Sequence, residues 1–416
     1  MSGAPSGSRL SDGQLVDWLR LIRSENVGPR TFRQLVNRFG GAGAALEALP
    51  GLAAKSLRGR EIRVASRDEA LREIDAAHAM GVRFAATGDP DYPALLREIP
   101  DAPPLLSLRG VASMARRDGV ALVGSRNASA AGLAFAERLA RSLAREDFVI
   151  VSGLARGIDA VAHRATLETG TIAVLAGGQA RPYPAEHEKL VAQITEQGLL
   201  VSEMPLEWEP RGRDFPRRNR IISGVSRATI VVEAARRSGS LITARFANEQ
   251  GREVFAVPGS PLDPRAEGTN DLLRQGATLC ARPEDVIEAL AGAHKPARTL
   301  FDADDGPAPD EQLFDELDLF GSTDGYAFEE AESPAPIDPP ASDPGTPLSP
   351  GKPAEDRDAF DVVTALLGPS PIVVDELIRI AGLPAREVQA VLVELDLAGR
   401  LERHGSSGIS FKCNYE

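Results

Sequence analysis

Two turns that each carry an arginine among small residues are well suited to binding a charged ligand. They occur in GVALVGSRNASAAG and FVIVSGLARGIDAVAH, which share one plan of apolar run, turn and helical pattern. The apolar runs, residues 120–123 and 148–151, resemble strands buried on both faces of a parallel sheet. Turns after such strands lie at the carboxyl edge of the sheet, where helix N-termini favour anions. Because Arg126 and Arg156 add guanidinium groups that match phosphate geometry, we predict a phosphate-binding groove at this edge.

A second signal is the arginine-rich stretch EPRGRDFPRRNRIISG. Its arginines outnumber Glu209 and Asp214, so its charges cannot all be paired within the stretch. Guanidinium groups bind phosphates and a ring among them can stack on an unpaired base, which is how single strands are held without sequence preference. We predict this role for Phe215, against the alternative that it fixes the start of a helix with a solvated arginine face. The predicted nucleic-acid contacts here are Arg213, Phe215, Arg217, Arg218, Asn219 and Arg220.

Three weaker signals accompany these two. SGSLITA follows a further predicted strand, so the N–H groups of Gly239 and Ser240 are expected to join the same anion-binding edge. Asp159 and His163 are four residues apart, a spacing that fits a metal or a proton shuttle, but we favour a structural hydrogen-bonded pair. Glu203 and Glu233 end strands, as hydrolytic carboxylates could, yet nothing in the sequence places a nucleophile beside them.

The acidic charge of the chain is concentrated in one segment. Residues 296–358 hold 17 acidic and three basic residues, a net charge of -14, whereas the whole chain carries -13, so the remainder is near +1. A local basic groove is therefore compatible with the acidic total. The N-terminus lacks an apolar leader and no run reaches the roughly 18 apolar residues of a membrane span, so we expect a cytoplasmic protein without membrane contact.

Cofactor motifs are absent from the sequence. There is no G-x-x-x-x-G-K-[ST] and no G-x-G-x-x-G, so we expect neither an ATP nor an NAD site. Cys280 and Cys413 lie far apart without metal-ligand spacing. We therefore expect no cofactor, no metal and no catalytic residue, and the protein is predicted not to be an enzyme.

Composition and periodicity divide the chain into four parts. Residues 10–80 are predicted to form a helical domain, and its Gly-Pro turn suggests a helix-hairpin-helix or sterile-alpha-motif-like unit. The alternative is a small helical domain that packs within the protein without contacting nucleic acid. Residues 81–295 alternate strands and helices, which predicts an α/β doubly wound parallel sheet. Residues 296–358 are predicted to be a disordered acidic linker, and residues 359–416 a winged helix. The predicted strands are 83–86, 120–123, 148–151, 171–176, 199–203, 228–233 and 253–257.

Two features near the C-terminus suggest contacts with protein. Within the linker, EQLFDELDLFG has apolar residues at helical spacing and could dock on a partner, although a transient cluster is the favoured interpretation. The third winged-helix helix offers Arg386 against Glu387, Glu394 and Asp396, and a groove-reading helix needs net positive charge. We therefore favour a protein-contacting role for the winged helix over DNA reading.

The ordered motifs of the sheet region resemble the DNA-processing protein A (DprA or Smf) family. They include GVALVGSRNASAAG, VSGLARGIDAVAHRATL, FPRRNRIISG, VVEAARRSGSLITARFA and REVFAVPG. The resemblance implies an extended Rossmann-like sheet domain that forms a homodimer, binds single-stranded DNA during natural transformation, and loads RecA recombinase onto strands covered by single-strand-binding protein. It also implies which positions form the DNA pocket. These are Gly124, Ser125 and Arg126 for phosphate, Arg217, Arg218, Asn219 and Arg220 for the same pocket, and Ser152, Gly153 and Arg156 as neighbours.

Parts of the sequence are also compatible with two functions other than single-strand binding. A Rossmann-fold nucleotide or phosphoribosyl hydrolase could use the same anion-binding edge, but the P-G-G-x-G-T-x-x-E motif expected of that class is missing. A regulator whose winged helix binds duplex DNA is disfavoured by the acidic third helix. The long acidic linker departs from the family pattern and could compete with DNA for the groove.

Overall fold

The computed structural model of the protein describes residues 9–56, 62–292, 358–368, 371–397, 400–404 and 408–411. Almost all of the predicted acidic linker lies outside these residues, and so does the segment EQLFDELDLFG within it. Cys413 and the tip of the predicted winged-helix hairpin also lie outside them. None of the helices in the described part of the chain is long and apolar enough to cross a membrane.

A group of helices begins the fold, as the sequence predicted. Helix α1 starts with a capping box in which Ser11 and Gln14 bond reciprocally. Helix α2 starts at the predicted Gly-Pro turn, where Gly28 is the N-cap and Pro29 occupies the first helical position. Its side chains Phe32 and Leu35 are buried against α1 and α3. The helices are α1 Asp12–Ile22, α2 Pro29–Phe39, α3 Ala42–Ser56 and α4 Arg67–Ala79.

A nine-stranded sheet forms the centre of the protein. Its order is β1-β2-β6-β5-β4-β3-β7-β8-β9. The strands β3 to β9 run parallel to one another, and their central members are buried on both faces, as the apolar runs of the sequence predicted. The strands are β1 Val82–Ala86, β2 Leu105–Gly110, β3 Gly119–Gly124, β4 Val149–Ser152, β5 Thr171–Val174, β6 Leu199–Ser202, β7 Ser226–Val232, β8 Glu253–Ala256 and β9 Thr278–Leu279.

One edge of the sheet departs from the predicted parallel arrangement. Strand β2 was not predicted, and it pairs antiparallel with both β1 and β6. The sheet is therefore mixed, with an antiparallel edge added to a parallel doubly wound core, as is common in large α/β sheets. The short strand β9 at the opposite edge was also missed by the sequence analysis.

Helices cover both faces of the sheet and complete two cores. One core contains Val151, Val174 and Ile221, and the other contains Leu122, Ile150 and Leu139. The connections after β3, β4, β6 and β7 all emerge at the carboxyl edge of the parallel strands, so their turns are gathered there. The helices are α5 Ala94–Arg97, α6 Ala130–Arg145, α7 Ile158–Ala165, α8 Glu188–Gln197, α9 Asp214–Val225, α10 Gly239–Glu249, α11 Glu267–Arg274 and α12 Pro283–Gly292.

The C-terminal part forms the predicted winged helix and packs against the sheet domain. Arg379 donates to Glu137 of α6 over 2.7 Å, and Arg265 donates to the carbonyl of Leu367. Ala130, the first residue of α6, is buried within the winged-helix core. Its elements are α13 Ala359–Leu366, β10 Ile372–Val373, α14 Val374–Ala381, α15 Ala385–Leu397, β11 Leu401–His404 and β12 Gly408–Phe411.

Candidate nucleic-acid interface

The two arginine-bearing turns lie against each other at the carboxyl edge. Gly157, which precedes α7, has a φ of +75° and no room for a Cβ beside the carbonyl oxygens of Ser125 and Arg126. The next residue, Ile158, donates its N–H to the Ser125 oxygen over 3.3 Å. The turns that follow β3 and β4 are therefore fixed together, with Arg126 and Arg156 both exposed, as the sequence predicted.

Arg126 meets two aromatic rings at this edge. Its guanidinium carbon lies 5.4 Å from the centroid of the Phe215 ring, and the Phe215 and Tyr183 rings meet edge to face with centroids 5.5 Å apart. Tyr183 is 53% exposed, and Arg126 has no carboxylate partner among the residues that the structure describes. We call this the Arg126–Phe215–Tyr183 cluster. It offers a free cation beside accessible ring surface, which suits a phosphate next to an unpaired base.

Tyr183 was missed as a site residue. The loop after β5 brings it to the edge, and neither a strand pattern nor a run of arginines marks this loop in the sequence. A second contact of the same kind was also missed: the Arg211 guanidinium lies 5.0 Å from the Trp208 ring, while the Trp208 indole donates to Asp214. Arg211 is exposed, so it adds positive charge beside the start of α9.

Arg218 does not face the solvent as a phosphate ligand would. It is 6% exposed and donates to the carbonyl oxygens of Gly153, over 2.6 Å, and of Val174. A Cβ at Gly153 would come 2.5 Å from the guanidinium, so a larger residue there would displace Arg218 from this position. Burial lowers the pKa of Arg218 to about 10, while Asp159 opposes that shift, so the side chain remains charged at neutral pH. Arg218 therefore ties α9 to the ends of β4 and β5.

Arg217 and Arg220 are held by a buried carboxylate. Glu203 lies 3.1 Å from the Arg217 Nε and 2.5 Å from the Arg220 Nη2, and Arg220 also meets Asp101 at 3.2 Å. Burial alone would raise the pKa of Glu203, but Arg217 and Arg220 hold it below its ordinary value. Arg220 is only 1% exposed. The prediction that it lines an open groove therefore differs from the structure, because its charge is neutralised inside the protein.

The remaining predicted residues divide between surface and interior. Arg213 and Gly239 are exposed, whereas Ser152 is fully buried and its hydroxyl donates to the Leu122 carbonyl. Asn219 donates to the carbonyl of Gly239 over 3.1 Å, which joins α9 to α10. Ser240 is 8% exposed. The structure thus brings Gly239 to the edge as an accessible residue, while Ser152, Asn219 and Ser240 support the edge from beneath.

At the carboxyl edge, two carboxylates of the protein itself accept hydrogen bonds from backbone N–H groups that we expected to face a bound anion. Glu233 accepts from the N–H of Ser129 over 2.8 Å and from its hydroxyl, directly before α6. Asp159 accepts from the N–H groups of Gly153 and Ala155. Burial raises the pKa of both carboxyls. Binding of a phosphate at this edge must therefore depend on side chains more than on helix N-termini.

The predicted hydrogen-bonded pair of Asp159 and His163 is wrong. The Nδ1 of His163 lies 2.7 Å from the Thr171 hydroxyl. Asp159 instead accepts hydrogen bonds from the backbone N–H groups of Gly153 and Ala155. Burial lowers the pKa of His163 to about 3, with His187 nearby adding to the effect. His163 is therefore a neutral interior side chain.

Three parts of the chain match described protein families. Residues 83–291 match DNA recombination-mediator protein A, residues 12–76 the DprA-like N-terminal HHH domain, and residues 346–406 the DprA winged helix domain. Protein Smf of Synechocystis is 30% identical over 94% of this chain and 97% of its own length. Protein Smf of Escherichia coli is 48% identical over 48% of this chain and 54% of its own length.

Two solved structures are also similar. DNA processing protein A of Streptococcus pneumoniae is 35% identical over 63% of this chain and 98% of its own, with a TM-score of 0.49. The Helicobacter pylori protein, whose structure is described by its single-stranded DNA binding mode, is 28% identical over 50% of this chain and 95% of its own, with a TM-score of 0.47.

Proposed function

This chain belongs to the DprA/Smf family of DNA-processing proteins, and from that premise we propose that it binds single-stranded DNA without sequence preference and mediates the loading of RecA recombinase on it. The observation that carries the proposal is the Arg126–Phe215–Tyr183 cluster. It presents an unpaired cation and accessible ring surface at the edge of a sheet where turns converge. Single strands expose both phosphates and base faces to such a surface, whereas a duplex keeps its bases stacked.

The buried arginines of α9 support this function indirectly. Arg218 fixes the helix to the ends of β4 and β5, and Arg217 and Arg220 fix it to Glu203. Phe215 lies at the start of the same helix, so these contacts set the position of its ring. In this proposal the exposed contacts are made by Arg126, Arg156 and the rings, and the buried arginines position them.

We propose binding, not hydrolysis, as the activity of this edge. The two carboxylates that could serve a hydrolase are both engaged, Glu203 by arginines and Glu233 by Ser129. A carboxylate held in an ion pair inside the protein is poorly placed to activate water. The proposed partners, RecA, single-strand-binding protein and a second copy of the chain joined through the sheet domain, follow from the family, as does a cytoplasmic location.

The test compares two variants with one control in the full chain. With a fluorescent oligothymidine, Arg126→Ala is expected to weaken binding and to reduce the slope of log K against log salt by about 0.7, the value for one phosphate contact on a single strand. Phe215→Leu is expected to cost about 1–3 kcal/mol of binding with the slope unchanged, because it removes stacking only. Arg145→Ala, which removes an exposed arginine at the far end of α6, is the matched control.

Two results would contradict the assignment. If Arg126→Ala and Phe215→Leu both bind the single strand as tightly as the control Arg145→Ala does, the carboxyl edge of the sheet is not the DNA-binding site. If the wild type binds duplex DNA more tightly than single-stranded DNA, the assignment of single-stranded DNA as the ligand is wrong. RecA loading is tested separately, by measuring RecA ATPase on oligonucleotides covered by single-strand-binding protein, where Arg126→Ala is expected to fail.

A further inference from the structure

A separate groove lies between α6, α7 and the winged helix. It encloses a cavity of about 360 Å³. Three of its lining residues are at successive turns of α6, so the groove follows that helix away from the carboxyl edge. We call it the interhelical groove, and the lining residues used below are Leu133, Glu137, Arg141, Gly157, Arg164 and Arg379.

The interhelical groove carries more positive than negative charge. Glu137 is its one lining carboxylate among the residues that the structure describes, and it meets Arg141 and Arg379 at 2.7 Å each. Arg379 is further paired with Glu376. Arg164 is exposed and meets no carboxylate in the described part of the chain. The three arginines therefore leave an excess of positive charge that an added anion would neutralise.

The interhelical groove is continuous with the proposed DNA-binding edge. Gly157 lines it, and the same glycine packs against the backbone oxygens of Ser125 and Arg126. The groove therefore begins beside the turn that carries Arg126, and a polyanion long enough to pass that turn would reach it. The apolar side chain of Leu133 lies beside the arginines, and such a mixture of apolar and cationic surface suits the sugars and phosphates of a strand.

We propose that the interhelical groove binds the phosphates of a single strand as it leaves the sheet edge, and that the winged helix supplies one wall of this path. The proposal rests on the proposed function, since it extends the same DNA site. It gives the docked winged helix a role that does not require its third helix to enter a duplex groove. Continuity with Arg126 favours a strand over a small phosphorylated molecule.

The experiment compares oligothymidines of two lengths in the full chain. One has about 6 nucleotides, enough for the edge, and the other about 20, enough to continue into the groove. The groove variant is Arg141→Ala/Arg164→Ala. The control is Arg138→Ala/Arg145→Ala, which removes two exposed arginines of α6 that do not line the groove, so both variants lose the same charge.

The groove variant is expected to bind the short strand normally and to lose most of the added affinity for the long one. Its salt slope on the long strand should fall by about 1.4, since each phosphate contact contributes about 0.7. Arg164→Glu, at an exposed position, should weaken long-strand binding further without changing the melting temperature. The control variant should retain the dependence on length.

The outcomes separate the two proposals. If the short strand binds through Arg126 but the groove variant and the control bind the long strand equally, the interhelical groove is not part of the path. If the groove variant instead loses binding of thymidine monophosphate with no dependence on strand length, the groove is a small-molecule site and the strand path is wrong. If the wild type binds neither strand, the proposed function and the groove path both fail.

Discussion

Replacement of Arg220 by methionine should destabilise the protein without removing a DNA contact. Arg220 is 1% exposed and is paired with Glu203 and Asp101 inside the sheet domain. Methionine preserves most of the apolar stem, so the main change is loss of the charge. Glu203 would then keep Arg217 as its remaining guanidinium partner within the domain, and Asp101 would lose its ion pair.

The expected cost follows from the burial of these groups. Removing one partner of a buried ion pair costs about 3–5 kcal/mol, because a charge remains without compensation. Asp101 is 18% exposed and Arg217 still neutralises Glu203, so the lower end, about 3 kcal/mol, applies. For a domain of this size, the melting temperature should fall by roughly 6–12 °C.

Urea unfolding followed by Trp208 fluorescence, in a Trp18→Phe background that removes the second tryptophan, reports on this domain. The double variant Arg220→Met/Glu203→Gln removes both charges, so it should lose less stability than the sum of the single variants, with a coupling of about 0.5–3 kcal/mol. Binding of oligothymidine by folded Arg220→Met should match the wild type. The reasoning is refuted if Arg220→Met melts like the wild type but loses DNA binding, since Arg220 would then reach the ligand.

Three further predictions concern groups beneath the edge. Gly153→Ala should lower both stability and DNA affinity, measured by thermal melting and oligothymidine titration, because its Cβ would displace the Arg218 guanidinium; Gly13→Ala, with open space around it in α1, is the control. His163 has a folded pKa of about 3, below its unfolded value, so stability should fall by about 1.4 kcal/mol per pH unit as the pH drops below about 6.5, and His163→Gln should lack this fall in urea titrations. The folded pKa of Glu203 is also lowered, so its contribution to the free energy of unfolding should disappear as the pH falls below about 4. Glu203→Gln should therefore flatten the plot of stability against pH in that range. If His163→Gln and Glu203→Gln lose stability in acid as the wild type does, both assignments are wrong.

The sequence predicts the parallel core well because buried strands have a simple signature. Runs such as residues 120–123 must be apolar on both faces, and each is followed by a helix that returns the chain. Strand β2, Leu105–Gly110, lacks this context, since it follows two prolines and leads into a short 3-10 helix. Its antiparallel pairing therefore could not be recognised from alternation of strands and helices.

The site was predicted in its location but not in the exposure of its residues. Arg126 is in a turn after a buried strand, so its position at the edge follows from the sequence. The positions of the partners of Arg220 do not: Glu203 follows β6 and Asp101 precedes β2. Counting carboxylates within the stretch EPRGRDFPRRNRIISG overlooked them, and only the fold shows that Arg217 and Arg220 are neutralised.

Helical geometry explains why the arginines of FPRRNR cannot act as one surface. Arg217 and Arg220 are three residues apart, so they project from the same side of α9 and share Glu203. Arg218 is rotated by about 100° from Arg217 and points to the sheet, where Gly153 receives it. Arg218 and Arg220 are therefore buried, and Arg217 is half-buried beside Glu203. Arg126 lies in the turn between β3 and α6, outside any helix, so it stays exposed at the edge, and α9 holds Phe215 beside it.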